Sequence, residues 1–149
     1  MNNIYPAWWN TKVTVYNKYI DPQTKVIKWF RKVIEGTFWK YISDDILVGQ
    51  TVLQTNNIIC RIRIDDAFLE AYQWQALSED EKVIHFTLQG GDMIIRGEVA
   101  DDIDEYVAGK RSSDFLQKYK ALQGCMTVQD VALNVGEGRG PEHYFVRGI

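Results

Sequence analysis

Histidine and cysteine are nearly missing from this chain, with two of each in 149 residues. Catalytic acid–base pairs and metal centres draw heavily on those two residue types, so their scarcity closes most routes to such chemistry. Cys60 and Cys125 lie far apart and neither belongs to a C-x-x-C pair. That withdraws support for a disulfide framework and for a thiolate metal site, and buried thiols are the plain reading. An excess of one charge is also missing. The 17 basic and 20 acidic residues leave a net charge of −3, whereas sustained phosphate contact needs a strong basic surplus. The apolar runs are only a few residues long. Asn2, Asn3, Tyr5 and Pro6 stand where a signal peptide would carry a basic patch and an apolar stretch, so the chain is expected to be cytosolic when made, without membrane contact.

What the chain has is an ordinary globular balance, 46% hydrophobic and 25% charged, with an unusual number of aromatics: five Trp, eight Tyr and six Phe. One independent core fits a chain of this length, and a second full domain does not. Residues 12 to 20 alternate, with Val13, Val15 and Tyr19 on one face and Thr14, Tyr16 and Lys18 on the other, which predicts a strand. Asp21-Pro22-Gln23-Thr24 reads as a turn, since Pro22 pre-sets φ and Asp21 can accept from the backbone two residues on. Residues 25 to 42 then form the return arm, where Gly36 marks a bulge or a break into two strands.

Residues 44 to 57 suit either a ragged hairpin or a mobile loop, and we read the stretch as an inserted loop spanning 43 to 57. Ile58, Cys60, Ile62 and Ile64 alternate with Ile59, Arg61 and Arg63, the clearest half-buried strand in the sequence. From 67 to 82 the pattern degrades; Phe68, Leu69, Tyr72 and Trp74 either form a short helical turn or pin a long connection to the core. Residues 83 to 88 and 93 to 99 flank Gln89-Gly90-Gly91-Asp92, which predicts another hairpin. A helix is expected over Ser113 to Leu122, capped by Ser112 or Ser113 and ended by Gly124. Residues 126 to 133 and 143 to 147 read as closing strands around a glycine-rich tip at 136 to 141. The sum is a mainly β single domain: a small antiparallel barrel or sandwich of about seven strands, with one short appended helix and a flexible N-terminal arm over 1 to 11.

Constellations for chemistry fail one by one. His85 and His143 both sit in strand patterns, and no nucleophile elbow, phosphate loop, paired-histidine zinc motif or EF-hand is present. Asp101, Asp102, Asp104 and Glu105 lack the spacing of a calcium loop and read as a solvated acidic stretch. The 136 to 140 glycines precede Pro141 and a strand rather than a helix, so they do not cradle phosphate. Lys28, Trp29, Phe30 and Arg31 interleave bases with aromatics, as a single-strand-binding barrel would. The competing reading is a strand whose basic stems cover its outer face. Trp8 and Trp9 are candidate anchors for a protein partner. The expectation is no enzyme, no cofactor and no metal.

Three ordered blocks carry a family resemblance. The first is Val13-Thr14-Val15-Tyr16-Asn17-Lys18, the Asp21 turn, then Trp29, Arg31, Val33, Gly36 and Trp39. The second is Phe86-Thr87-Leu88, Gly91-Asp92, Ile94-Ile95 and Gly97-Glu98-Val99. The third is Thr127-Val128, Asp130, a glycine-rich tip, and Glu142-His143-Tyr144, Val146 and Gly148. In this order they resemble the small head–tail joining proteins of tailed bacteriophages of Gram-positive bacteria, most like the head-closure or stopper component. The resemblance implies a β-barrel subunit of a neck ring of six or twelve copies. Portal or adaptor proteins would lie above it and the tail terminator or tail tube below, with transient, non-specific contact with packaged DNA. The subunit would assemble in the host cytoplasm and reside in the virion. A tail-terminator role is the alternative. The resemblance places the channel loop at Asp44, Asp45, Val48, Gln50, Thr55 and Asn56, and partner contacts at Trp8, Trp9, Arg139 and Pro141.

Overall fold

The computed structural model describes residues 5–49, 51–135 and 141–149. The chain folds into a closed, wholly antiparallel barrel of six strands in the order β1-β2-β3-β6-β5-β4, with β4 returning to pair with β1. The strands are β1 (Thr11–Ile20), β2 (Ile27–Val48), β3 (Thr51–Arg63), β4 (Met93–Arg96), β5 (Cys125–Asn134) and β6 (His143–Gly148). Closure leaves no sheet edge along the barrel wall, which removes the usual route to edge-to-edge aggregation there.

The Asp21 turn forms as its residue types require. Asp21 Oδ1 accepts from the backbone N–H groups of Gln23 at 2.8 Å and Thr24 at 2.9 Å. Those donors hold its carboxyl below the usual carboxylate range. Gly36 marks a bulge rather than a break: Thr11 pairs with Thr37 but Val13 with Ile34, so β2 carries one extra residue there. Gly36 has φ of +69°, and an added Cβ would meet Arg63 Nε at 2.6 Å.

Strand β1 departs from a one-sided alternation. Val13 and Val15 enter the barrel core with Cys60, Ile62, Phe86 and Val146. The opposite face is also buried at Tyr16, which packs in a second cluster with Ile95, Val99, Phe115 and Tyr119. The cover is helix α3 (Ser112–Leu122), close to its expected span, together with the connection leading into it. A strand covered on both sides has no polar face for sequence periodicity to report.

Residues 83 to 88 are not a strand, which reduces the expected seven to six. Helix α2 (Glu79–Lys82) runs into them, and the N–H groups of Ile84 and His85 both bond to the Glu81 carbonyl, so no ladder can start. Phe86 makes a single bridge with Phe68. Strand β4 pairs instead with β1 and β5. The ambiguous stretch before it holds α1 (Ala71–Gln75) and α2, pinned by Trp74, which is fully buried and edge-on to Phe30 at 5.5 Å. Lys82 is itself buried at this corner. Its ammonium donates to the carbonyls of Gln75 at 3.0 Å and of Leu77, and lies over the Tyr19 ring at 4.3 Å.

Candidate functional site

The stretch read as an inserted loop is paired backbone. Strand β1 accompanies β2 only as far as Thr37, and β6 accompanies β3 only from Ile58. Between those limits β2 and β3 pair with each other alone, from Ile42 opposite Asn57 to Val48 opposite Thr51. The result is a two-stranded ribbon standing off the barrel, seven residues per arm, or about 23 Å at strand spacing. Register places Asp44 opposite Thr55, Asp45 opposite Gln54 and Ser43 opposite Asn56, with Val48 beside the tip glycine Gly49. Gln50 lies outside the described residues. Five of the six candidate channel positions thus fall on one projecting element. The loop reading failed because residues 43 to 57 carry no clear alternation and include Gly, Asp and Asn, types depleted in strands, so local pattern did not report the pairing. Among the described residues, no third strand pairs with either arm of the ribbon.

The candidate partner contacts separate. Trp8 is 66% exposed, while Trp9 is 6% exposed. Trp9 packs on Tyr5 at 5.4 Å and edge-on to His143 at 5.2 Å, so the end of the expected flexible arm is fastened to the barrel. Pro141 is half-buried, and its carbonyl lies 3.0 Å from His143 Nδ1. Arg139 lies outside the described residues. The arm is fastened further by Tyr5, whose hydroxyl accepts from Ile64 N–H and donates to the Glu142 carbonyl, and by Arg63, which donates to the carbonyls of Trp9 and Gly36.

The basic and aromatic stretch on β2 is engaged within the molecule. Lys28 pairs with Glu79, and Phe30 lies against Trp74. Trp29 Nε1 donates to Glu105 at 2.9 Å, and Arg31 Nε donates to Asp102 at 2.9 Å. The two sequence features that invited separate ligands therefore meet each other: the acidic connection straps across β2. Asp104 accepts from Tyr106 N–H, so the carboxylates of the strap serve different donors rather than one point. Among the described residues, no group of three or more His, Cys, Asp or Glu could hold a metal ion. No described helix is long and apolar enough to cross a membrane. Cys60 and Cys125 are fully buried, and burial pushes both thiols up to about 12.

Sequence reasoning missed the polar knot behind this surface. Asn17, Thr87 and Asp92 are all buried. Asn17 Nδ2 donates to the Thr87 carbonyl at 2.6 Å and to Asp92 Oδ2 at 2.9 Å, while Asn17 Oδ1 accepts from Thr87 N–H at 3.2 Å. The side-chain amide stands in for the strand that residues 83 to 88 lack. An Asn in mid-strand and an Asp ending the Gln89-Gly90-Gly91-Asp92 turn were the available signals. Their meeting is a long-range event.

No curated protein and no solved structure matches the chain. One family model matches residues 8–148, nearly the whole sequence, and its description is a family of unknown function, DUF6751. On that match the chain belongs to the DUF6751 family.

Proposed function

We propose that this protein is a non-catalytic structural subunit of a tailed-bacteriophage neck, a head-closure or stopper ring component that helps to retain packaged DNA. The observation that carries the reading is the β2–β3 ribbon, which extends about 23 Å beyond a closed barrel and bears Asp44 and Asp45 on one arm. A rigid barrel with one projecting ribbon is a suitable unit for a ring, because the barrels can pack side by side while the ribbons reach a common centre. Carboxylates on such a ribbon repel phosphate, so DNA can slide past without being gripped, and the net charge of −3 agrees with that. The three blocks that resemble head–tail joining proteins supply the biological context. They include Asn17, Thr87 and Asp92, the polar knot of the barrel. Partners on this reading are further copies of the chain, portal or adaptor proteins above, tail terminator or tail tube below, and DNA only in passing.

Electron microscopy of purified virions tests the reading. A ring of this chain below the portal is expected, and virions without it overturn the proposal. Disrupting the gene distinguishes the two ring roles. Filled heads that leak DNA fit a stopper, whereas overlong tails reassign the chain as a tail terminator.

A further inference from the structure

The N-terminal turn, the end of β3 and the start of β6 meet at His143, and the hydrogen bonds there fix its protonation state. The Pro141 carbonyl can only accept, so His143 Nδ1, at 3.0 Å, carries the proton and donates. Arg61 can only donate, and its Nη1 lies 2.8 Å from His143 Nε2, so Nε2 is a bare lone pair. The Asn134 amide approaches the same nitrogen at 3.4 Å. The ring is therefore neutral, with a cation held against its acceptor side and Trp9 packed across it at 5.2 Å.

We propose that His143 is a proton-sensitive clasp that holds the Tyr5–Trp9 turn against the barrel and releases it in mild acid. A proton added at Nε2 turns the acceptor of Arg61 and Asn134 into a donor facing two donors, and sets an imidazolium against a guanidinium. Arg61 must then withdraw. It already rests on the Phe145 ring, 5.0 Å from its centroid, which offers an alternative seat. Arg61 from β3 is the charged group on the imidazole itself. On the same strand Arg63 holds Trp9 through its carbonyl and stacks on Tyr5, and the Glu142 carbonyl receives the Tyr5 hydroxyl. Loss of the His143 packing therefore unseats Trp9 and then Tyr5, whose hydroxyl caps Ile64 N–H. Burial, with Arg61 beside it, holds the imidazole below its ordinary value of 6.5, so the clasp is closed at neutral pH.

The test follows tryptophan emission, amide exchange at Ile64 and the two histidine ring signals by NMR from pH 7.5 to 4.5. In the wild-type chain, emission should shift to the red and Ile64 should lose protection in step with His143 titration, at a pH below 6.5. Trp9→Phe should abolish the emission shift. His143→Gln keeps an acceptor for Arg61 but cannot titrate, so it should stay closed throughout, whereas His85→Gln should behave as the wild type. An unchanged acid transition in His143→Gln overturns the proposal, as does an N-terminal turn that stays closed while His143 is protonated. Where His143→Gln does not fold, the wild-type titration decides alone: a His143 midpoint at or above 6.5 overturns it.

Discussion

Asn17 donates its side-chain amide to Asp92 at 2.9 Å inside the barrel, where neither residue meets solvent. Asp92 also accepts from the backbone N–H groups of Lys18 at 2.9 Å and Gln89 at 3.1 Å. Burial pushes its carboxyl up to about 7, against the pull of these three donors. The pair joins β1 to the turn before β4, at the point where residues 83 to 88 have no strand partner.

This sets a pH dependence of stability. The folded-state value lies above the ordinary 3.8, so Asp92 favours the fold below about pH 3.8, and that contribution is lost as pH rises towards 7. At about 1.4 kcal/mol per unit, the loss approaches ~4 kcal/mol. Urea unfolding of wild type and Asp92→Asn should therefore show the wild type losing stability relative to the variant between pH 4 and 7.5. Parallel profiles would contradict the assignment.

Gly148 sits where three strands close, between Ile58 on β3 and Val128 on β5. A Cβ there would lie 2.3 Å from the Thr127 carbonyl oxygen and 2.8 Å from Met126 Sδ. Gly148→Ala should cost about 1–3 kcal/mol through displaced backbone, lowering Tm by roughly 3–10 °C in a thermal scan. An unchanged Tm would mean that the closure is looser than these distances.

Tyr16 tests the outer cluster. Its hydroxyl donates to the Asp101 carbonyl at 2.6 Å beneath α3. Tyr16→Phe should lose about 1 kcal/mol, the net worth of one such bond. Tyr16→Ala should lose about 3–5 kcal/mol, as for truncating a buried aromatic. A mild effect of the alanine variant in chemical denaturation would place Tyr16 on a wet face after all.

The ribbon should be separable from the barrel. Deleting residues 44–55 and joining the arms through Asn-Gly supplies a favoured hairpin turn. The barrel core named above draws on residues outside the deleted segment, so Tm should change by no more than about 3 °C, equivalent to about 1 kcal/mol. Ring assembly and DNA retention should fail. A truncated chain that still complements a virion lacking it would move the function away from the ribbon.

Some of this was legible in the sequence. Alternation over 58 to 63, the Asp21 turn, the Gly36 bulge and the α3 helix all appear where local pattern placed them, because each follows from residues within one element. The candidate site was legible only as a segment. Residues 43 to 57 were singled out, but their pairing as a ribbon was not visible, because their sequence carries no period-two alternation.

By itself, then, the amino-acid sequence determined a single antiparallel β domain and the local geometry of its turns, since strand periodicity and turn chemistry are set by near neighbours. Tertiary structure alone decided that Tyr16 is buried, that Phe86 bridges rather than pairs, that Lys28 and Arg31 meet Glu79 and Asp102, and that Asn17 and Asp92 share a proton-sensitive knot. Apart from the Phe68–Phe86 bridge, each of those facts joins residues roughly fifty or more positions apart, or needs a covering element from elsewhere in the chain. Their energies come from burial and complementary charge created only when the barrel closes.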